Sequence, residues 1–238
     1  MTQTALLDFN AIEDLWKQEA GDIANGVTIT GNKISTNNKI FTLPNGVQTN
    51  KPLTVIVVDY RNYSVYYPGT YDPKNKVPPV CWAIASDNKT SHQNLVPGNN
   101  VQNPVNPQCE GCKWAQWKTG QGGKGKACKE RIRVALVPLD GLTDKTPVWL
   151  LDVSPTGLDS FGKLVNLVKA EHGKPIMAGI TKISFMAGVD YAKLNFNPTD
   201  WRPFTEAERH AAVIAYHLSQ KESTREMLEQ KPAGALDN

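Results

Sequence analysis

Four cysteines constrain this chain more than any other feature: Cys81, Cys109, Cys112 and Cys128, spaced C-x27-C-x2-C-x15-C. Thr2 to Leu7 has no basic start, and Asp8 interrupts it before an apolar signal core forms. No apolar run approaches the ~20 residues that span a bilayer. A cytoplasmic protein is expected. In that compartment thiols serve as metal ligands more often than as disulfides. Zinc takes four thiolates in a closed tetrahedron that leaves no position for water. Glycine at the third position of Cys109-Glu-Gly-Cys112 lets the backbone fold back so that both sulfurs reach one ion. One structural Zn2+ is therefore expected. The competing readings are four unrelated buried thiols and a redox pair, and the latter lacks its βαβ setting. His92 is an alternative ligand. His172, His210 and His217 lie elsewhere and form no His-Glu-x-x-His pattern, which disfavours a catalytic zinc.

The stretch between and after the later cysteines is basic and aromatic. It holds Lys113, Trp114, Trp117, Lys118, Lys124, Lys126, Lys129 and Arg131, against only Glu110 and Glu130. Cations neutralise phosphates, and open indole faces stack unpaired bases at roughly 1–3 kcal/mol each. Trp82 and Tyr67 are further stacking candidates. The blander alternative packs Trp114 and Trp117 around the metal as a small core. The net charge of +3 permits a polyanionic partner without requiring one. Gly120-x4-Gly125-Lys126-Ala127 falls short of a phosphate-binding loop, because Ala127 has no hydroxyl for magnesium and no strand precedes it. Tyr63, Tyr66, Tyr67 and Tyr71 with Arg61 form a second aromatic surface, read as a loop over 62–77. Asp59, Asp72 and Asp87 are dispersed, which leaves a two-metal nuclease unsupported.

The rest of the 238 residues reads as strands with helices at both ends. A helix is expected over 8–20, then a hairpin from Val27 to Ser35 about Gly31-Asn32. Strands follow at 39–43, 53–59, 80–85, 131–138, 148–153, 177–186 and 192–196. The β-branched run after Leu53 implies burial on both faces. The span 87–108 has no periodicity and reads as a long functional or mobile excursion. Helices are expected from Ser154 to Glu171 and from Thr205, with a capping box to Glu208, to about 230, broken near Ser219. The fold class is mainly β with flanking helices (α+β), an OB-like Greek-key barrel with an inserted zinc-binding arm. The division is 1–26 helical, 27–200 the barrel including the arm at 81–130, 201–230 a C-terminal helix and 231–238 a disordered tail.

Pro79-Val-Cys81 with Ser86-Asp87, then Gln108-Cys-Glu-Gly-Cys112-Lys-Trp114, then Gly123-Lys-Gly-Lys-Ala-Cys128-Lys-Glu-Arg131 resemble bacteriophage single-stranded DNA-binding proteins. The likeness covers roughly residues 50 to 197. It implies an OB-fold with a zinc-binding insertion, and sequence-tolerant, non-catalytic binding of single-stranded DNA in replication and recombination. Replication or recombination proteins are the implied protein partners. The chain departs from the family at its end, where Gly234 to Asn238 is only faintly acidic. The rival functions are a protein-binding module working through Val213, Ile214, Tyr216, His217 and Leu218, and a metal-dependent nuclease.

Overall fold

The computed structural model describes residues 32–69 and 77–232. The chain divides into two units, 1–32 and 33–238, and the second is the one described below. The expected helix at 8–20, the strand at 27–30, Tyr71, Asp72 and the tail beyond 232 lie outside the described residues.

The second unit is mixed α+β, built on a large, mostly antiparallel sheet. Its strands are β1 (Lys33–Ile34), β4 (Leu53–Tyr66), β5 (Cys81–Ile84), β6 (Lys129–Pro138), β7 (Trp149–Val153), β8 (Gly179–Phe185), β9 (Leu194–Phe196) and β10 (Arg202–Pro203). The order is β1-β7-β6-β4-β8-β10, with β5 also on β4 and β9 also on β8. β2 (Phe41–Thr42) and β3 (Gln48–Thr49) form a separate small hairpin. Among the described residues, no pairing joins the two ends of the large sheet into a closed barrel. Lys33 and Ile34 pair in parallel with Leu150 and Leu151 of β7.

β4 is the spine. β6 pairs along it from Val55 to Val65. Its other edge changes partner, from β8 at Leu53–Ile56 to β5 at Tyr63–Tyr66. A bulge between Val57 and Asp59 marks the bend. The β-branched run is buried on both faces, as its composition predicts: Val55, Ile56, Val57 and Val58 are each at most 4% exposed. Val55 and Val57 face one core, with Val134, Leu136 and Leu151. Ile56 and Val58 face another, with Ala135, Val137 and Leu150. Strand alternation sorts the side chains this way.

Each face is covered by helix. α1 (Leu158–His172) lays Phe161, Leu164 and Val168 on the first core. Gly173, at φ +60°, ends it in the left-handed conformation that glycine adopts without strain. α2 (Arg209–Gln220) and α3 (Glu222–Glu229) place Ile214, Ala215, Leu218 and Leu228 on the second. The break falls at Lys221, whose ψ of 135° is extended. The capping box is present, and Arg202 adds a bidentate pair to Glu208 at 2.6 and 2.7 Å.

The tyrosine-rich segment departs from its reading as a loop. Asn62 to Tyr66 continues β4, and Tyr63 is 3% exposed. In Arg-Asn-Tyr-Ser-Val-Tyr, polar and apolar residues share each face, so period-two patterning is masked until the neighbouring strands supply partners. The excursion at 87–108 is also tied down. Leu95 and Val101 are buried, and the Asn62 side-chain amide donates to the Thr90 carbonyl at 2.8 Å.

Candidate functional site

The far end of β4 gathers the cysteines. Cys81 lies opposite Tyr66 on β5, and Lys129 lies opposite Val65 on β6. Cys128 therefore arrives at the level of Tyr66 on the other side. Two strand spacings separate Cys81 from Cys128, about 10 Å between backbones. Cys109 and Cys112 come from the loop above. The Cys109 N–H donates to the Leu95 carbonyl at 3.0 Å, which pins the loop to the excursion. Gly111 sits at φ +69°, and the Cys112 N–H returns to the Cys109 carbonyl at 3.3 Å. Glycine at this position is what the turn requires. The Cys128 N–H donates to the Trp114 carbonyl at 2.9 Å and closes the arm.

All four thiols are free and line one pocket of about 360 Å³, with Tyr66, His92, Glu110 and Glu130. Burial pushes the Cys109 thiol up to about 11, and Cys81, Cys112 and Glu130 push the same way. Burial pushes Cys128 up to about 12, reinforced by the other three cysteines and Glu130. Cys81 is also raised, chiefly by burial, against a lowering hydrogen bond from the Val105 backbone. The thiols thus lie within Coulomb reach of one another. Among the described residues, no three His, Cys, Asp or Glu side chains are drawn into a metal-ready shell. Four soft thiols around one space are a donor set whose ionised form a divalent cation would favour, since the cation offsets the like-charge penalty between thiolates.

His92 lines the same pocket, but its Nε2 donates to the Arg131 carbonyl at 2.8 Å. A carbonyl only accepts, so Nε2 holds the proton and Nδ1 is the nitrogen left for a ligand role.

The arm is a folded loop. Thr119 Oγ1 donates to the Gln116 carbonyl at 2.7 Å and accepts from the Ala127 N–H at 3.0 Å. The Gly120 N–H donates to the Gly125 carbonyl at 3.2 Å, closing the glycine-rich turn. Trp114 stacks on Tyr66 with centroids 5.2 Å apart and planes 12° apart, and the Lys113 ammonium lies 4.9 Å from its centroid. Trp117 is 73% exposed, with the Lys126 ammonium 6.0 Å from its centroid. Lys113, Lys118 and Lys124 are exposed. Lys129 donates to the Lys126 carbonyl at 2.6 Å, and Lys126 pairs with Glu130 at 2.6 Å.

Three expected binding residues lie apart from this group. Trp82 is 7% exposed and packs with Tyr63, Val65 and Val101, so no ring face is open to a base. Arg131 lies opposite Tyr63, on the sheet face away from Cys81 and Tyr66, with its Nε buried and unpartnered. Tyr67 is 36% exposed at the strand end; burial raises its hydroxyl, with Arg131 opposing. The sequence reading missed Tyr66 as a platform and Glu130 as a pocket residue. A signal for Glu130 existed: the two acidic residues of the arm, Glu110 and Glu130, both line the thiol pocket.

The fold and site define a mixed α+β domain whose sheet end carries a thiol-lined pocket and a basic aromatic loop. Comparison with known proteins finds no match: no family model, no curated protein and no solved structure aligns with the chain.

Proposed function

We propose that this protein binds single-stranded DNA without base specificity and without catalysis, through an arm held by one structural zinc ion. Cys81, Cys109, Cys112 and Cys128 are the residues that would hold it. Bound there, zinc supplies no reaction chemistry and serves as a cross-link between segments distant in sequence. Trp117 offers the open stacking face, while Trp114 is held between Tyr66 and the Lys113 ammonium and braces the arm beside it. Lys113, Lys118, Lys124 and Lys126 supply charge beside them. A loop ordered in advance loses less entropy on binding. The observation that carries this reading is the meeting of four thiols from three segments beside a 73%-exposed tryptophan among lysines. The long bent β4, with its bulge and its change of partner, supports an opened and elaborated OB-like barrel as the scaffold.

The rival docking face divides: Ile214 and Leu218 are buried in the second core, whereas Val213, Tyr216 and His217 of the same helix are exposed. Asp59 is taken by Arg61 at 2.5 Å and Asn88 at 2.9 Å, and Asp87 caps the turn at Lys89 and Thr90.

The test is a fluorescence titration with oligo-dT, before and after chelation, on protein of measured metal content. Expected are one zinc per chain, quenched tryptophan emission, and a log–log salt slope near −0.7 per phosphate neutralised. Chelation should weaken binding. A zinc-free native protein, or an affinity indifferent to salt, would refute the reading.

A further inference from the structure

Lys126 is the cation best placed to meet a nucleotide on Trp117, yet it is already engaged. Its ammonium lies 2.6 Å from Glu130 Oε1, with both side chains about three-quarters buried, and 6.0 Å from the Trp117 ring centroid. Lys129 crosses to the Lys126 carbonyl and fixes the backbone beneath. Glu130 is the second residue of β6 and is held in register opposite Ser64, so its carboxylate is presented from the sheet. A carboxylate accepting from a lysine beside an open indole has the charge and hydrogen-bonding character of a backbone phosphate beside a stacked base.

We propose that Glu130 is an affinity-setting residue of the arm. In the free protein it occupies on Lys126 the place that a nucleic-acid phosphate takes in the complex. The inference rests on the single-strand binding reading. Binding then exchanges one partner of Lys126 for another, so the incoming phosphate must displace Glu130 from the ammonium. The result is a moderated affinity, which suits a protein that must leave a strand as well as coat it. Glu130 is a positioning residue: it holds the lysine and does not itself contact the strand.

The experiment is a double-mutant cycle with the full chain. Oligo-dT affinity is measured for the wild type, Glu130→Gln, Lys126→Met and the double variant, with metal content and far-ultraviolet circular dichroism recorded for each. E130Q should bind about three- to fivefold more tightly at low salt, with unchanged metal content, and the gain should shrink as salt screens the pair. K126M should bind more weakly, and in its background E130Q should have no effect. Glu130→Ala, which removes the carboxylate without leaving an amide, should reproduce the gain. Unchanged or weaker binding by E130Q and E130A overturns the proposal. So does an equal gain in the K126M background, which would make Glu130 a diffuse repulsive charge. A loss of metal from E130Q overturns it too, by assigning Glu130 to the thiol pocket. If the wild type fails to bind oligo-dT, the functional reading falls first and this inference with it; binding by the wild type with a flat cycle sinks the inference alone.

Discussion

At the scale of single residues, Trp82 and Trp117 separate stability from binding. Trp82 fills a cluster against Tyr63 and Val65, whereas Trp117 is largely exposed at the rim of the thiol pocket, 6.0 Å from the Lys126 ammonium. Trp117→Ala should leave the denaturation midpoint nearly unchanged and reduce oligo-dT affinity about 5- to 100-fold, the loss of one stacked base. Trp82→Ala should instead cost about 3–5 kcal/mol in denaturant unfolding. Gly120 is equally exacting. A Cβ there would stand 2.1 Å from the Lys124 carbonyl oxygen, so Gly120→Ala should open the turn and show as faster proteolysis of the arm. Asp152 carries the clearest pH dependence. Burial pushes its carboxyl up, but Arg133 at 3.2 Å and Lys33 outweigh it and hold the group below its ordinary value. A depressed folded value gives stability that is present above the unfolded carboxylate range, near pH 4, and is lost as pH falls through the folded value. Asp152→Asn should therefore destabilise at pH 7 by about 3 kcal/mol, because it leaves Arg133 buried and short of its anion. Parallel denaturation curves should converge as the pH drops below 4.

At the scale of elements, the C-terminal helices belong to the fold. Arg133, 3% exposed on β6, donates to the carbonyls of Leu228 at 3.2 Å and Gln230 at 2.6 Å, beyond the reach of α3's own hydrogen bonding. Trp201 lies in the first core, and its indole N–H donates to the Ile176 carbonyl at 3.1 Å. Removing 200–238 strips both sheet faces and should give an insoluble or non-cooperatively unfolding chain. A folded, DNA-binding truncation would contradict that. The helix periodicity from Arg209 onward announced an apolar stripe but could not say whether the stripe met a partner or the sheet. The capping box was legible because Thr205 and Glu208 are three residues apart and act locally. The strand at 62–66 was not, because its evidence is the partners Ile132 and Ala83 on β6 and β5, seventy and nineteen residues away.

At the scale of the molecule, the thiol pocket stands apart from the two large cores, which contain no cysteine. Chelation should therefore weaken DNA binding and speed hydrogen exchange in the arm, while far-ultraviolet circular dichroism keeps its strand and helix signal. Global unfolding on chelation would show that the metal site supports the sheet as well. Along the chain no helix among the described residues is long and apolar enough to cross a membrane. Sequence alone determined the features that act over short spans: the Cys109-to-Cys112 turn through Gly111, the buried run of β4, the caps of the helices and the clustering of lysine with tryptophan. These depend on backbone sterics and side-chain periodicity, which neighbours in sequence settle between themselves. Only the tertiary structure decided that Trp82 turns inward, that Arg131 faces away from the thiols, and that Glu130 shares the sheet face of Cys81 and Tyr66. Each is set by strand register across β4, where a one-residue shift exchanges the faces of a whole strand, and no local pattern encodes that choice.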